Sequence, residues 1–511
     1  MALSLKKQHI QEYRPVVMAE TITEETGDVI VPDSWPDAER ICGSSGIVVV
    51  RSKECVAGKA TVSGSAKVWI IYQTAENETR SMTAVLPYAV EFSDPSISDN
   101  SKIMVQPRIV SCEGRVINSR KIQVKSSICV ACAVFNDAEL VYCDEIESDS
   151  CIEVRCGEYP IMYTKTVKEK SFTISDELQL ESGKTGFGQL LAQSAMLRVS
   201  DKRLVGTKLV FKGDVDIEAV YLTSDGNVEC TALNLPFSQI IDMDDVEETD
   251  VPWLALSMTS CELEILDDYS ENLRRLELNM NVLAQAAVSC QQIIKPVLDF
   301  YSTEYETTAE TAGVELTSLL DITDIHRNVR EQIMTDGKPI KILDVALAMP
   351  KRENIIGNGR VQSKQSIEAT MIYLDHNGSI KTQRKKFDVQ AELELANTAE
   401  ADVSCLLAAP PSASIIGDDV EINAELIFTF ICTSKQSADI LTDGYISEEP
   451  MERKSRPSAV LTRTEESLWQ TAKKYGARIS DIKAINGIND DYTSGKMLLI
   501  PKPTGATGCK Q

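Results

Sequence analysis

VVVRSKECVAGKATVSGSAKVWIIY (residues 48–72), MLRVSDKRLVGTKLVFKGDVDIEAVY (196–221) and VALAMPKRENIIGNGRVQSKQSIEATMIY (345–373) are one pattern written three times. Each begins with an apolar run, turns at a lysine (Lys53, Lys202, Lys351), passes a glycine (Gly58, Gly206, Gly357) and ends a second run on a tyrosine (Tyr72, Tyr221, Tyr373). The polar turns Ala75-Glu76-Asn77, Asp225-Gly226 and Asn377-Gly378 follow. The latter two are strong hairpin signals, because tight turns need left-handed backbone that Asn, Asp and Gly tolerate. An extended segment with an aromatic residue (Tyr88, Phe237, Phe387) comes next.

Each copy ends on a long extended run. Leu276, Leu278, Met280, Val282 and Ala284 share one face in the second copy, and Val420, Ile422, Ala424, Leu426, Phe428 and Phe430 do so in the third. The first has KIQVKSSICVACAVF (121–135), less regular but equally extended. The copies also begin alike, with Tyr13-Arg14-Pro15-Val16-Val17, Tyr159-Pro160-Ile161-Met162 and Phe300-Tyr301. Their interval of roughly 150 residues is domain-sized, too long for a solenoid. The expected fold is mainly β: three tandem antiparallel β-sandwich-like domains (1–158, 159–299 and 300–437) followed by a small α+β unit. Residues 438–457 read as a linker, 458–503 as the α+β unit and 504–511 as a polar tail.

Of 511 residues, 43% are hydrophobic and 25% charged, ordinary for globular domains; the net charge is -25. That charge is unevenly placed: residues 441–511 carry 11 Lys+Arg against 9 Asp+Glu, which leaves -27 on residues 1–440. A body this acidic repels nucleic acid and anionic lipid at long range, so neither is an expected partner and no direct membrane insertion is expected. MALSLKKQHIQEYRPVV has no apolar stretch of signal-peptide length, and no apolar run approaches a membrane span. A cytoplasmic location is therefore expected. The 14 cysteines are sparse, and Cys129 and Cys132 form the one CxxC, with side chains on opposite faces of an extended run. Reduced core thiols are the expectation.

No catalytic, cofactor-binding or metal-ligating residues are expected. His9, His326 and His376 have no zinc-ligand spacing around them. Gly183-Lys184-Thr185 echoes the end of a phosphate loop, but Leu178 stands where its first glycine belongs. Asp242, Asp244, Asp245, Glu247, Glu248 and Asp250 form the densest carboxylate cluster, yet miss the spacing of a calcium loop and read as a solvated loop.

The C-terminal stretch AVLTRTEESLWQTAKKYGARISDIKAINGINDDYTSGKMLLIPKP (459–503) has a different rhythm. Ser467-Leu468-Trp469 opens one helix with Leu468, Ala472 and Tyr475 on a face, and Gly476 closes it. Ser480 is the expected cap of a second helix with Ile482 and Ile485 inward and Gly487 at its end, and Lys496–Ile500 reads as a strand. This βααβ pattern resembles a LysM domain. The phrase GDVIVPDSWPDAERI (27–41), the triplicated strands and the C-terminal LysM together resemble the SPOCS-domain spore-coat morphogenesis proteins of endospore-forming clostridia. The PDxxRI phrase occurs in the first copy only, with Glu181–Leu190 and Arg330–Ile340 in its place elsewhere.

The resemblance implies a non-enzymatic scaffold at the forespore surface in the mother-cell cytoplasm. Its LysM domain would bind the ATPase of the coat basement layer (SpoIVA-like), with other coat proteins as further partners. The alternative is a LysM that grips peptidoglycan or another N-acetylglucosamine polymer. LysM modules use a groove between the loop before helix 1 and the loop after helix 2, here Arg463, Thr464, Glu465, Glu466 and Ser467 with Asn486, Gly487 and Ile488. Glu465-Glu466 replaces the family's Gly-Asp, which alters the loop's approach to a sugar. Trp469 lies one step off the apolar face and reads either as an exposed anchor for a partner or as the completion of a small core.

Overall fold

Six strands recur in the same order in each copy. The computed structural model describes residues 3–266, 274–395, 400–450, 458–461, 467–489 and 497–501. The first copy has β1 (Leu3–Ile30), β2 (Arg40–Val56), β3 (Lys59–Gln73), β4 (Thr79–Ser93), β5 (Lys102–Asn118) and β6 (Lys121–Ser148). A short β7 (Ile152–Cys156) leads to the second: β8 (Tyr159–Gln179), β9 (Phe187–Val205), β10 (Lys208–Thr223), β11 (Val228–Asp242), β12 (Val251–Ile265) and β13 (Arg275–Ile294). β14 (Val297–Ser302) precedes the third: β15 (Tyr305–Ile333), β16 (Pro339–Gly357), β17 (Arg360–Asp375), β18 (Ile380–Glu394), β19 (Glu400–Leu407), a small β20 (Ser412–Ile416) and β21 (Asp419–Pro450). The chain is thus mainly β, in several antiparallel sheets.

In every copy the three middle strands form a meander (β2-β3-β4, β9-β10-β11, β16-β17-β18). The last strand lies between the first and the fifth (β1-β6-β5, β8-β13-β12, β15-β21-β19). Both sheets of a copy contribute to shared buried clusters. Val68, Ile70, Tyr72 and Leu86 meet Val124, Ile128 and Val130 in the first copy, and Leu209, Phe211 and Tyr221 meet Leu278, Met280 and Val282 in the second. In the third, Met371 and Tyr373 join Val420 and Ile422, while Val361 and Ile367 join Phe428 and Phe430. The alternation in the last strand supplies one wall of these cores. The three tyrosines that end the repeated phrase are fully buried.

An extra residue on the second strand of each copy faces the tyrosine. The ladder shifts between Ile41 and Gly43, between Leu190 and Ala192, and between Ile342 and Asp344. A β-bulge re-aims the unpaired residue, here Cys42, Leu191 and Leu343. All three are buried in one cluster with Ile71, Val220 and Ile372, each of which immediately precedes a repeated tyrosine. The same positions of three copies therefore meet at a common centre, in a quasi-threefold arrangement.

The seams close all the way round. Ser45 Oγ donates to the Gln193 carbonyl at 3.3 Å between copies one and two. Cys230 Sγ reaches the Ile342 carbonyl at 3.4 Å between two and three, and Thr382 Oγ1 donates to the Cys42 carbonyl at 2.6 Å between three and one. The repeated lysines, expected at a turn, instead lie inside the second strand of each copy, paired with Val62, Phe211 and Ser366, and they follow the same rotation. Lys53 of copy one pairs with Glu169 on the first strand of copy two. Lys202 of copy two lies in the field of Asp324 on the first strand of copy three. In copy three the ladder skips Met349 and Pro350, and Arg352 rather than Lys351 reaches back, 3.8 Å from Glu20 in copy one. Glu20, Glu169 and Asp324 sit opposite Ala131, Gln285 and Thr429, the position after the same core residue of each long strand.

Two features explain where the sequence pattern blurs. Strand β6 is irregular because both its faces are buried: Ala133 and Phe135, outside its own core, pack on Val167, Ala255 and Ala287 of copy two. Residues 438–450, expected as linker, instead continue β21 and pair with β15 as far as Pro450↔Tyr305. A ladder shift at Glu310/Thr311 breaks the alternation there, while Ala438, Ile440, Leu441 and Ile446 are buried. Phe300-Tyr301 likewise does not open the first strand of copy three; it lies in β14, which pairs with β7. The ends of β1, β6, β15 and β21 gather around this pair, with Leu5, Ile146, Val297, Phe300, Leu441 and Ile446 in one cluster.

Gln285 is the most enclosed polar side chain in these seams, at 0% exposure. Its amide donates to the Val105 carbonyl at 2.8 Å, accepts from the Val105 N–H at 2.9 Å and accepts from Lys53 Nζ at 2.9 Å. It thereby meets the hydrogen-bonding needs of a strand from another copy. Replacing Gln285 with Leu leaves the buried Val105 N–H without its partner, while the Val105 carbonyl keeps Ser257 Oγ and Lys53 keeps the Ile103 carbonyl and Glu169; an unsatisfied buried group costs about 1–3 kcal/mol. The Gln285→Leu chain is expected to unfold at lower denaturant, by about 2 kcal/mol, whereas Asn279→Leu, at an exposed site on the same strand, leaves the midpoint nearly unchanged.

Candidate partner-docking site

The C-terminal unit is built from β22 (Ser458–Leu461), α1 (Leu468–Tyr475), α2 (Ile479–Asn486) and β23 (Met497–Ile500), with β22 and β23 antiparallel. A capping box starts α1: the Gln470 N–H donates to Ser467 Oγ at 3.2 Å, and the Ser467 N–H donates to Gln470 Oε1 at 2.9 Å. This meets two of the amide donors that a helix start leaves open. Gly476 and Gly487 end the helices at φ 57° and 64°, the left-handed geometry that glycine adopts without strain. The α2 start differs from expectation: Arg478 is the N-cap, without a side-chain cap bond, and Ser480 lies inside the helix. Leu468, Ala472, Ile482, Leu498 and Ile500 form the core. Ile485, expected inward, is exposed, because Asn486 rather than Ile485 joins α2 to β23.

The candidate residues fall into two groups. Arg463, Thr464, Glu465 and Glu466 lie outside the described residues. Ser467, Trp469, Asn486, Gly487 and Ile488 are described, and most are engaged within the chain. Asn486 donates to the Ile482 and Leu499 carbonyls and accepts from the Leu499 N–H, all at 2.8 Å. Ile488 packs against the unit's core.

Trp469 is 9% exposed, and what covers it is the β body. Its indole N–H donates to Asp299 Oδ2 at 2.8 Å, and its ring meets Tyr301 edge-on at 5.0 Å and 69°. Lys473, one turn further along the same helix face, donates to Asp299 Oδ1 at 2.5 Å. The Tyr301 hydroxyl donates to the Ala477 carbonyl at 2.8 Å, and burial pushes its phenol well above the ordinary range. Burial also raises the Glu153 carboxyl, with Arg478 opposing and Asp481 adding to the rise. A seat on β14 thus holds one face of α1. Its residues lie some 170 positions from Trp469, and no local signal marks them beyond strand alternation, which turns Phe300 to one side and Tyr301 to the other.

Asp242, Asp244 and Asp250 face Lys208, Lys168 and Lys165 at 3.6, 2.5 and 3.0 Å. No group of three or more His, Cys, Asp or Glu side chains among the described residues is arranged to hold a metal ion. Burial pushes the Cys42 thiol up to about 11 and that of Cys132 up to about 12, so neither is a ready nucleophile at neutral pH. The described cysteines are free except Cys151, which is disulfide-bonded and departs from the expectation of reduced thiols throughout. No helix among the described residues is long and apolar enough to cross a membrane.

The sequence model of one protein family, described as SipL, SPOCS domain, matches residues 188–266. The matched segment runs from the start of β9 to the end of β12, inside copy two, and links the chain to a non-catalytic, sporulation-associated domain. No curated protein matches the chain, and no solved structure does.

The three bonds of Asn486 make it a local keystone, and removing a typical partly exposed hydrogen bond costs about 1 kcal/mol. Asn486→Ala is expected to raise amide exchange of Leu498–Ile500 by at least tenfold, about 1.4 kcal/mol of local stability, while exchange in β3 and β10 stays as in the parent chain.

Proposed function

We propose that the chain is a non-enzymatic scaffold of spore-coat assembly, with three tandem β-sandwich-like units as its body and a C-terminal LysM domain as its docking module. The observation that carries this reading is the SPOCS match inside a threefold-repeated body. Copies joined into one closed unit suit a rigid platform rather than a catalyst. The partner of the LysM domain is the ATPase of the coat basement layer (SpoIVA-like), and other coat proteins engage the body. The scaffold acts at the forespore's outer surface in the mother-cell cytoplasm and promotes encasement. With -27 on residues 1–440, attachment to an anionic membrane runs through the partner rather than through the body.

The loop residues Arg463, Thr464, Glu465 and Glu466, with Asn486, Gly487 and Ile488 at the far side of the groove, are the proposed contact. Trp469 is better placed to support them, since its indole is held by Asp299. The competing reading is a peptidoglycan-binding module. It is disfavoured by the two glutamates in the loop and by the internal bonds of Ser467 and Asn486, which leave fewer side chains to meet sugar hydroxyls.

Affinity capture with the tagged full-length chain from sporulating cells separates the two. The parent chain is expected to retain the basement-layer ATPase, and the triple change Arg463→Ala, Glu465→Ala, Glu466→Ala to lose it at least tenfold. Undiminished capture by the triple variant would sink the loop assignment. Firm co-sedimentation of the full-length chain with purified peptidoglycan, without ATPase capture, would establish the glycan reading instead.

A further inference from the structure

The three seams of the body share one plan and differ in one pair of residues. Gly43, Ala192 and Asp344 follow the three bulges, opposite Ile71, Val220 and Ile372. Two positions before those apolar residues, on the same face of the middle strands, stand Trp69, Glu218 and Thr370. Between copies one and two this place is apolar, with Trp69 and Ala192 in the central cluster. Between three and one it is small: a β-carbon on Gly43 would lie 2.6 Å from Ile372 Cδ1. Between two and three, the Glu218 and Asp344 carboxyls meet in a direct hydrogen bond.

Two carboxyl groups bond to each other only when one of them keeps its proton, and two carboxylates taken out of water repel. The charged groups around the pair are engaged with other partners. Asp216, which also acts on Glu218, lies 3.3 Å from Arg198 and accepts from Asn234 at 2.7 Å. Arg198 also reaches Asp214 at 3.2 Å, and Lys341 pairs with Glu229 across the same seam. Lys184 donates to the Cys230 carbonyl at 3.2 Å, and the Cys230 thiol, beside Glu218, reaches the Ile342 carbonyl. Among the described residues neither carboxyl has a cationic partner. Burial first, then the charge and hydrogen bond of Asp344, then the charge of Asp216, push the Glu218 carboxyl up to about 8. Burial raises Asp344 as well, opposed by the Glu218 hydrogen bond and the Val345 N–H.

We propose that the seam between copies two and three is closed by a proton: Glu218 and Asp344 share one across it, and its loss loosens this seam alone. The closed seam keeps a proton that an open seam gives up at ordinary carboxylate pH, so opening releases it. The opening constant therefore grows about tenfold per pH unit from about 4.5, the ordinary glutamate value, to about 8, and levels off above. Loosening uncovers the common centre from one side, where Leu343 and Ile372 share a cluster with Leu191 and Val220. The seams bridged by Ser45 and Thr382 hold no such pair and stay closed. The proposal goes beyond the coat-partner reading and stands without it.

Two full-length variants, Glu218→Gln and Asp344→Asn, test it, because each replaces one carboxyl with an amide that donates without titrating. Infrared difference spectra of parent against variant should show a protonated carboxyl at about pH 7 that disappears by about pH 9. Amide protection over 342–348, with the intrinsic pH dependence of exchange divided out, reads the seam; the equivalent stretches 41–47 and 190–196 are internal references. Between about pH 6 and about pH 8 the parent should lose protection over 342–348 at least tenfold relative to both references, and neither variant should. Absence of a protonated carboxyl at neutral pH would remove the premise. Protection over 342–348 that tracks the references at every pH would show that the proton does not close the seam. A loss that persists in both variants would assign the effect to another group and overturn the proposal. Should one variant fail to fold, the other carries both readouts.

Discussion

A three-stranded meander can cover only one of its faces with the other sheet of its own copy; the face left over has to find another partner. In this chain the leftover faces find one another. The extra residue opposite each repeated tyrosine (Cys42, Leu191, Leu343) is turned out of its own ladder and into a cluster shared with Ile71, Val220 and Ile372. Everything else in the body accommodates that convergence: the second-strand cations that reach the next copy's first strand, the glutamine that completes the hydrogen bonds of Val105, and the long strand ends gathered around β7 and β14. Bulges are local, but three at equivalent positions fix a global arrangement, because each places one apolar residue at a centre that none of the copies could bury alone.

Much of this architecture was legible in the sequence. The glycine and tyrosine of the repeated phrase bracket the middle strand of each meander, and the alternation in 276–284 and 420–430 marks the wall of a core; the lysine, read as a turn residue, lies inside the second strand instead. The phrase does not say how the copies relate. Alternation reports burial on one face, so it faded in β6, where Ala133 and Phe135 pack outward on copy two. It failed across 438–450, where a ladder shift changes the face in mid-strand. A bulge is one residue long and has no composition of its own here: Cys, Leu and Leu occupy the three positions.

The C-terminal unit shows the same limit at the candidate site. Its helices and glycine caps follow from local spacing. The fate of Trp469 does not, since an indole one step off an apolar face is ambiguous until its surroundings are known. Of its partners, Tyr301 comes from the stretch that sequence spacing assigned to the opening of the third copy, and Asp299 from the last position assigned to the second. In this structure Trp469 faces the body, not solvent. A rigidly seated unit presents its remaining loops in a fixed direction relative to three β units, which suits a platform on which other proteins assemble.

The central claim is that the three copies surround one centre rather than following one another in a row. Spin labels introduced in pairs by non-cysteine chemistry at Val56, Val205 and Ile356, exposed residues at the equivalent hairpin tips, measure it directly. A closed arrangement predicts three comparable separations, each with a narrow distribution. A first-to-third separation well beyond the other two, or a broad spread in any of them, would contradict it.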